Sequence, residues 1–130
     1  MNLVLDTCAL IWSVLSPETL TRVAADAITD EEVEVCVSPI SCAEIAYAVQ
    51  RGRLVLDRHW KAWFRHFVEA NGWLIVDIDL KVIEEAYSLP DYSHGDPADR
   101  IIIATARILR CPIVTADRRI LDYPHVDAVW

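Results

Sequence analysis

Four acidic residues occupy comparable positions in successive segments of this 130-residue sequence. Asp6 directly follows an apolar run, and Asp117 comes shortly after another one. Glu44 and Asp99 lie near the start of two segments with helical character. Carboxylate oxygens without histidine or thiolate partners favour Mg²⁺ or Mn²⁺ over zinc. A cation bound in this way activates water, so the pattern predicts a site for metal-dependent hydrolysis.

Each acid also has an ordinary structural explanation. Ser41 and Glu44 fit the S-x-x-E capping box, in which Glu44 binds the backbone amide of Ser41. Asp99 and Asp117 suit the first turn or the cap of a helix, and Asp6 suits a turn after a strand. The joint pattern favours a site, because this coincidence would have to occur four times. Two carboxylates about 5 Å apart repel by about 3 kcal/mol at an effective dielectric of 20, so such a cluster needs cations or bound protons.

Strand and helix segments alternate along the chain, and this alternation places the acids. Apolar or alternating runs predict strands at 2–5, 33–37, 73–78, 111–115 and 126–130. Periodic segments predict helices at 8–15, 17–28, 41–50, 57–71, 80–89 and after Asp96-Pro97. Such a chain forms an α/β fold with a parallel sheet of about five strands, covered by helices on both faces. Ligands bind at the carboxyl ends of its strands, where the four acids would converge.

Length and composition limit the class of protein. With 54% hydrophobic and 25% charged residues, the chain is expected to form a single domain over residues 1–130. No apolar run reaches the roughly 20 residues that cross a bilayer, so we expect a cytoplasmic protein without membrane contact. The four cysteines lack Cys-x-x-Cys spacing and are interpreted as small buried side chains, not zinc or disulfide partners: Cys8, Cys36, Cys42 and Cys111.

The formal net charge of −8 argues mildly against nucleic-acid binding by bulk electrostatics. Net charge does not describe distribution, however, since acids can gather in one pocket. Five basic residues fall within one short stretch: Arg51, Arg53, Arg58, Lys61 and Arg65. They are either a solvated helix face, which is the more ordinary interpretation, or a basic surface.

The segment 57–71 is predicted to form an amphipathic helix that ends at Asn71-Gly72. Trp60, Phe64 and Phe67 share one helical face and are predicted to pack in the core. Trp63 is displaced from that face in this interpretation. It is therefore either a core residue or a candidate for a partner surface.

Four motifs of the sequence resemble those of PIN-domain ribonucleases, specifically the VapC-type toxins of toxin–antitoxin pairs. They are Leu5-Asp6-Thr7, SCAEI at 41–45, DPADRIIIATA at 96–106 and TADR at 115–118. The resemblance covers nearly the whole chain in matching order and spacing, and DPADRIIIATA is its most specific element. It implies a PIN-like sandwich fold.

The resemblance also implies a function. The four acids would form a magnesium site, in which manganese can substitute, that cleaves RNA to products with 5′-phosphate and 3′-hydroxyl ends. Thr7 and Thr115 would support the site. Asp96 would mainly cap its helix, with a role in orienting Arg100 or a water as an alternative. The implied partners are a VapB-type antitoxin and a second copy in a homodimer.

Two other functions compete with this interpretation. A haloacid-dehalogenase-type phosphotransferase also places a carboxylate after its first strand, but its second aspartate corresponds here to Cys8. Cys8 also departs from the PIN pattern, in which many relatives carry histidine, serine or asparagine. The non-enzymatic alternative is a degenerate PIN-like binding module whose acids only cap helices, against which the complete set of four acids argues.

Overall fold

Strand β1 (Asn2–Leu5) lies at the centre of a five-stranded parallel sheet in the computed structural model, which describes residues 1–130. The strand order is β3-β2-β1-β4-β5. The other strands are β2 (Glu34–Val37), β3 (Leu74–Ile75), β4 (Ile113–Val114) and β5 (Ala128–Val129). The predicted parallel sheet of about five strands is confirmed, and β1 and β4 end together beside Asp6 and Thr115.

Seven helices connect the strands: α1 (Thr7–Leu15), α2 (Arg22–Thr29), α3 (Pro39–Gln50), α4 (Trp60–Asn71), α5 (Leu80–Ala86), α6 (Pro97–Leu109) and α7 (Arg118–Leu121). The helix predicted over 17–28 is instead a 3-10 turn at Pro17–Thr19 followed by α2. The break has a local cause, because Thr21 takes an extended conformation and its hydroxyl caps α2 by accepting from the amide of Ala24. None of the helices has the length and apolarity needed to span a membrane.

Alternate residues of the strands enter two different cores. Leu3 and Leu5 of β1 contribute to one core, with residues of α1 and α4 and Ile45 of α3. Val4 contributes to the opposite core, with Ile102 and Ile103 of α6. This alternation follows from the two-residue period of a strand. Helices therefore cover both faces of the sheet, as predicted.

Trp63 lies in the core and has only 1% of its surface exposed. The suggestion that it forms a partner surface is wrong. Residues 60, 63, 64 and 67 follow the i, i+3, i+4, i+7 spacing of one broad apolar helix face. Phe64 is buried beside Trp63, whereas Trp60 and Phe67 are half-buried against the same core.

The cysteines differ in exposure. Cys36 and Cys111 are buried as predicted, and Cys42 is intermediate. Cys8 is exposed, so the prediction of burial is wrong for this residue. The reason is its place in the first turn of α1, on the side that faces a pocket instead of the core.

Candidate active site

An open pocket of about 970 Å³ lies at the carboxyl edge of the sheet. All four acids singled out in the sequence line it: Asp6, Glu44, Asp99 and Asp117. They come from the end of β1, from α3, from α6 and from the residue before α7. The strand–helix alternation thus brings the acids to one pocket.

Asp6 is held by two hydrogen bonds at the junction of β1 and α1. Its Oδ1 caps α1 by accepting from the amide of Ala9 at 2.8 Å. Its Oδ2 accepts from the hydroxyl of Thr115, which follows the neighbouring strand β4. Burial raises the pKa of Asp6, while the Thr115 hydrogen bond lowers it. Asp6 is therefore both a helix cap and a positioned carboxylate.

Glu44 does not form the capping box that its spacing with Ser41 suggested. Helix α3 starts at Pro39, and Ser38 is its cap, accepting from the amide of Ile40 at 3.2 Å. Proline suits the first helical position, so the helix starts two residues earlier than predicted. Ser41 and Glu44 consequently lie inside the helix and are free for other contacts.

Those contacts form a chain of hydroxyl groups. Thr7 donates to Oε1 of Glu44 and lies 2.9 Å from the hydroxyl of Ser41. Because Thr7 has a single hydroxyl proton, Ser41 is the donor to Thr7. Burial raises the pKa of Glu44, and the Thr7 hydrogen bond lowers it.

Asp96 and Asp99 both lie at the start of α6 but have different roles: Asp96 caps the helix, and Asp99 faces the pocket. Asp96 caps α6, accepting from the amide of Ala98 at 2.9 Å. Asp99 faces the pocket with 14% of its side chain exposed. Burial, followed by the charge of Asp96, raises the pKa of Asp99 to about 7, although Arg119 lowers it. Asp99 is thus the most strongly shifted acid of the pocket.

Asp117 caps the short helix α7, accepting from the amide of Arg119 at 2.9 Å. The guanidinium of Arg119 also contacts its carboxylate, with Nη2 2.8 Å from Oδ2. These contacts lower the pKa of Asp117. The same Nη2 lies 3.0 Å from Oδ2 of Asp99, so Arg119 bridges two pocket acids.

Arg100 lies outside the pocket lining, and it bonds Asp96 only through its backbone amide, which donates to the Asp96 backbone oxygen at 3.2 Å. It donates to the backbone oxygens of Ala86 at 3.2 Å and Tyr92 at 3.0 Å. Its guanidinium lies 5.4 and 5.1 Å from the ring centres of Tyr87 and Tyr92. Arg100 thus anchors the segment that leads into α6, which positions Asp99 indirectly.

Cys8 lines the same pocket. Burial raises the pKa of its thiol to about 11, and the charges of all four acids act in the same direction. Because the thiolate is the nucleophilic form of cysteine, this environment disfavours covalent catalysis by Cys8.

Part of the pocket lining is apolar or aromatic. Ile11, Trp12 and Tyr47 belong to this part, and Arg53 also lines the pocket. Tyr47 is 55% exposed, and the guanidinium of Arg51 lies 5.4 Å from its ring centre. Of the basic residues noted in the sequence, Arg53 therefore reaches the pocket, whereas Lys61 and Arg65 are exposed on α4.

The residues fit a hard divalent cation in donor chemistry, since all four acids offer oxygen and no histidine lines the pocket. No three acidic, histidine or cysteine side chains are grouped at the spacing of ligands around one ion. The positive charge that the structure places between Asp99 and Asp117 is Arg119.

Sequence reasoning did not single out Tyr47 of the pocket lining, nor the site roles of Ser41 and Arg119. Ser41 was interpreted as a helix cap, although the Pro39 before it marks the true start of α3. Arg119 follows the TADR motif directly, and its closeness to Asp117 in sequence was the available signal.

Comparison with known proteins identifies the family. A family model described as the PIN domain matches residues 3–126. Ribonuclease VapC22 from Mycobacterium tuberculosis is 32% identical over 124 residues, which are 95% of this chain and 93% of that protein.

Solved structures agree on the fold. VapBC2 from Rickettsia felis, bound to a DNA fragment from its promoter, has a TM-score of 0.73 at 15% identity, over 100% of this chain and 99% of that chain. A toxin–antitoxin complex from Klebsiella pneumoniae has a TM-score of 0.65 at 19% identity, over 98% of this chain and 95% of that chain. With the matched domain model and the 32% identical relative, these findings show that the chain belongs to the PIN domain family.

Proposed function

We propose that this protein is a metal-dependent ribonuclease that hydrolyses RNA phosphodiester bonds. One observation carries the proposal: four acids from four separate elements line one pocket at the carboxyl edge of the sheet. The family membership and the ribonuclease named among its relatives support it.

The four acids, Asp6, Glu44, Asp99 and Asp117, would hold the cation, and we assign it as Mg²⁺ with Mn²⁺ as a substitute. When bound, it supplies a Lewis acid for the scissile phosphate and favours deprotonation of the attacking water. Thr115 orients Asp6, and Thr7 orients Glu44 through Oε1. This leaves Oε2 of Glu44 available to bind a cation or to orient the attacking water. The two threonines are therefore positioning residues.

The apolar and aromatic part of the pocket lining offers a path for RNA beside the acids. Tyr47 presents an exposed ring on which a base can stack, and Arg53 supplies a positive charge for a phosphate. A net charge of −8 does not exclude such a local positive charge, because net charge does not describe how the charges are distributed over the surface.

We further propose that the protein is the toxin of a type II toxin–antitoxin pair, neutralised by a VapB-type antitoxin, and that it forms a homodimer. The support is the similarity to proteins solved as VapBC and toxin–antitoxin complexes. An antitoxin segment carrying a basic side chain would complement the acidic pocket.

The test is cleavage of structured RNA by the purified protein with Mg²⁺, with Mn²⁺ and with EDTA. Wild type should cleave with either cation and leave 5′-phosphate ends, and EDTA should abolish cleavage. Asp99→Asn should be inactive. Asp79→Asn is a matched control, because Asp79 caps α5 through the amide of Val82 and does not line the pocket.

Cleavage that persists in EDTA or in Asp99→Asn would refute the metal mechanism. A complete lack of cleavage by wild type, freed of any antitoxin, would favour the degenerate binding module. The crowding of four acids in one pocket argues against that module, because helix capping alone does not require it.

A further inference from the structure

Arg119 makes an unusual pair of contacts for a side chain at a protein surface. Its single Nη2 lies 3.0 Å from Asp99 and 2.8 Å from Asp117, which belong to different elements. Its Nε lies 3.2 Å from the other oxygen, Oδ1, of Asp117. Both carboxylate oxygens of Asp117 and one of Asp99 are thus engaged by one guanidinium.

These oxygens are the ones that the proposed cation site requires. A guanidinium pairs with carboxylates through a planar set of donors and offsets their repulsion. A divalent cation offsets the same repulsion and needs the same lone pairs. The two positive groups therefore compete for Asp99 and Asp117.

The surroundings of Arg119 allow it to leave. Its side chain is 46% exposed, whereas that of Asp99 is 14% exposed. It projects from α7, which has only four residues. Release of the guanidinium into water therefore costs little free energy, since ion pairs at exposed positions contribute little to stability.

We propose that Arg119 is an internal competitor for the cation: it neutralises Asp99 and Asp117 in the free protein and is displaced when the cation binds. Arg119 thus sets how tightly the site binds metal. The inference rests on the proposed cation site and adds a residue that tunes it.

The experiment measures Mn²⁺ binding by calorimetric titration of the full chain, without RNA. Arg119→Gln removes the charge but keeps the length of the side chain. It should bind Mn²⁺ about two- to thirtyfold more tightly than wild type, the range expected for the loss of two partly exposed ion pairs. Arg119→Lys keeps a charge without the planar donor set and should fall between the two.

Arg118→Gln is the matched control, because it removes the same charge from the preceding residue. Arg118 is 78% exposed and pairs at 2.9 Å with Asp122, the residue that follows α7 as its C-cap. Its variant should bind Mn²⁺ as wild type does, apart from a small general charge effect.

Thermal unfolding in EDTA is a second measurement, in which Arg119→Gln should be unfavourable instead of favourable. Arg119→Gln should lower the melting temperature without metal, because Asp99 and Asp117 lose their counter-charge, and should enlarge the increase that Mn²⁺ produces. A merely structural arginine would lower the melting temperature without tightening Mn²⁺ binding.

Two results would overturn the inference while leaving the cation site intact: Mn²⁺ binding to Arg119→Gln that is weaker than in wild type, or equal to that of Arg118→Gln. A wild type and variants that all fail to bind Mn²⁺ would overturn the cation site itself, and the inference with it. The two failures are therefore distinguishable.

Discussion

Thr115 donates a hydrogen bond to Asp6 across 109 residues of sequence, at the point where the adjacent strands β4 and β1 end. Thr115 is fully buried, and its hydroxyl also accepts from the amide of Asp117 at 3.0 Å. One hydroxyl thus joins two of the four acids. The position of the Asp6 carboxylate in the pocket therefore depends on the register between β1 and β4.

Thr115→Val should therefore affect both stability and metal binding. Valine keeps the shape but leaves Oδ2 of the buried Asp6 carboxylate without its donor, so unfolding should require about 1.5–3 kcal/mol less free energy. The pKa of Asp6 should rise further, since the lost hydrogen bond lowers it, and Mn²⁺ binding near neutral pH should weaken. Urea unfolding and Mn²⁺ titration measure the two effects.

The control for this variant is Thr105→Val. Thr105 is also buried, but its hydroxyl donates to the backbone oxygen of Ile101 within α6. This control should leave Mn²⁺ binding unchanged. Equal Mn²⁺ affinities in both valine variants would contradict the positioning role of Thr115.

Asp99→Asn should melt at or above the wild-type temperature in EDTA at pH 8. The raised pKa of Asp99 means that its charged form is disfavoured in the folded protein, and asparagine removes that charge. Mg²⁺ should raise the melting temperature of wild type and that of the variant much less. Asp79→Asn should respond to Mg²⁺ as wild type does. A destabilised Asp99→Asn with a full Mg²⁺ response would remove Asp99 from the site.

Asp99 should make the protein in EDTA less stable as the pH rises from 4 to 7, and the raised pKa values of Asp6 and Glu44 act in the same direction. The pKa of the Asp99 carboxyl is raised from its ordinary value of 3.8 to about 7 in the folded protein. Between these two pH values the folded state therefore binds more protons than the unfolded state. Stability falls with pH wherever the folded state holds the extra proton. Asp117, whose pKa is lowered, acts in the opposite direction only below its ordinary value of 3.8.

Urea unfolding of wild type and Asp99→Asn at several pH values isolates this effect. Other titrating groups are common to both proteins, so the difference in unfolding free energy should change with pH in favour of the variant. A difference that stays constant from pH 4 to pH 7 would show that Asp99 titrates normally.

Tyr47→Ala should weaken the binding of a short single-stranded RNA in EDTA, where no cleavage occurs. Stacking of a base on an aromatic ring contributes about 1–3 kcal/mol, so a loss of roughly tenfold in affinity is expected. Tyr47→Phe should bind nearly as wild type does. Fluorescence anisotropy of a labelled RNA measures these affinities.

Tyr87→Ala is the control for the stacking prediction. Tyr87 is 60% exposed and has the guanidinium of Arg100 at 5.4 Å from its ring centre, as Tyr47 has that of Arg51, but it does not line the pocket. Unchanged RNA affinity in Tyr47→Ala, or equal losses in both variants, would rule out the proposed RNA path.

The sequence alone determined several elements of this fold, because they depend on interactions between neighbouring residues. The short apolar run at 2–5 predicted a strand, and both cores contain residues of that strand. Asp96 before Pro97 predicted a capped helix, and the structure has one. Asn71-Gly72 predicted the end of α4, where Gly72 takes φ = 67°. These features depend on neighbours within a few residues, which the sequence displays directly.

Tertiary structure decided what depends on distant partners. Glu44 fits a capping box by spacing, yet it binds Thr7, which lies 37 residues away in sequence. Trp63 was ambiguous until the packing of α4 placed it in the core. The bridge from Arg119 to Asp99 joins groups 20 residues apart. Spacing within a helix or strand constrains only one element, whereas these contacts arise where the sheet brings separate elements together, and burial then sets their charges and hydrogen bonds.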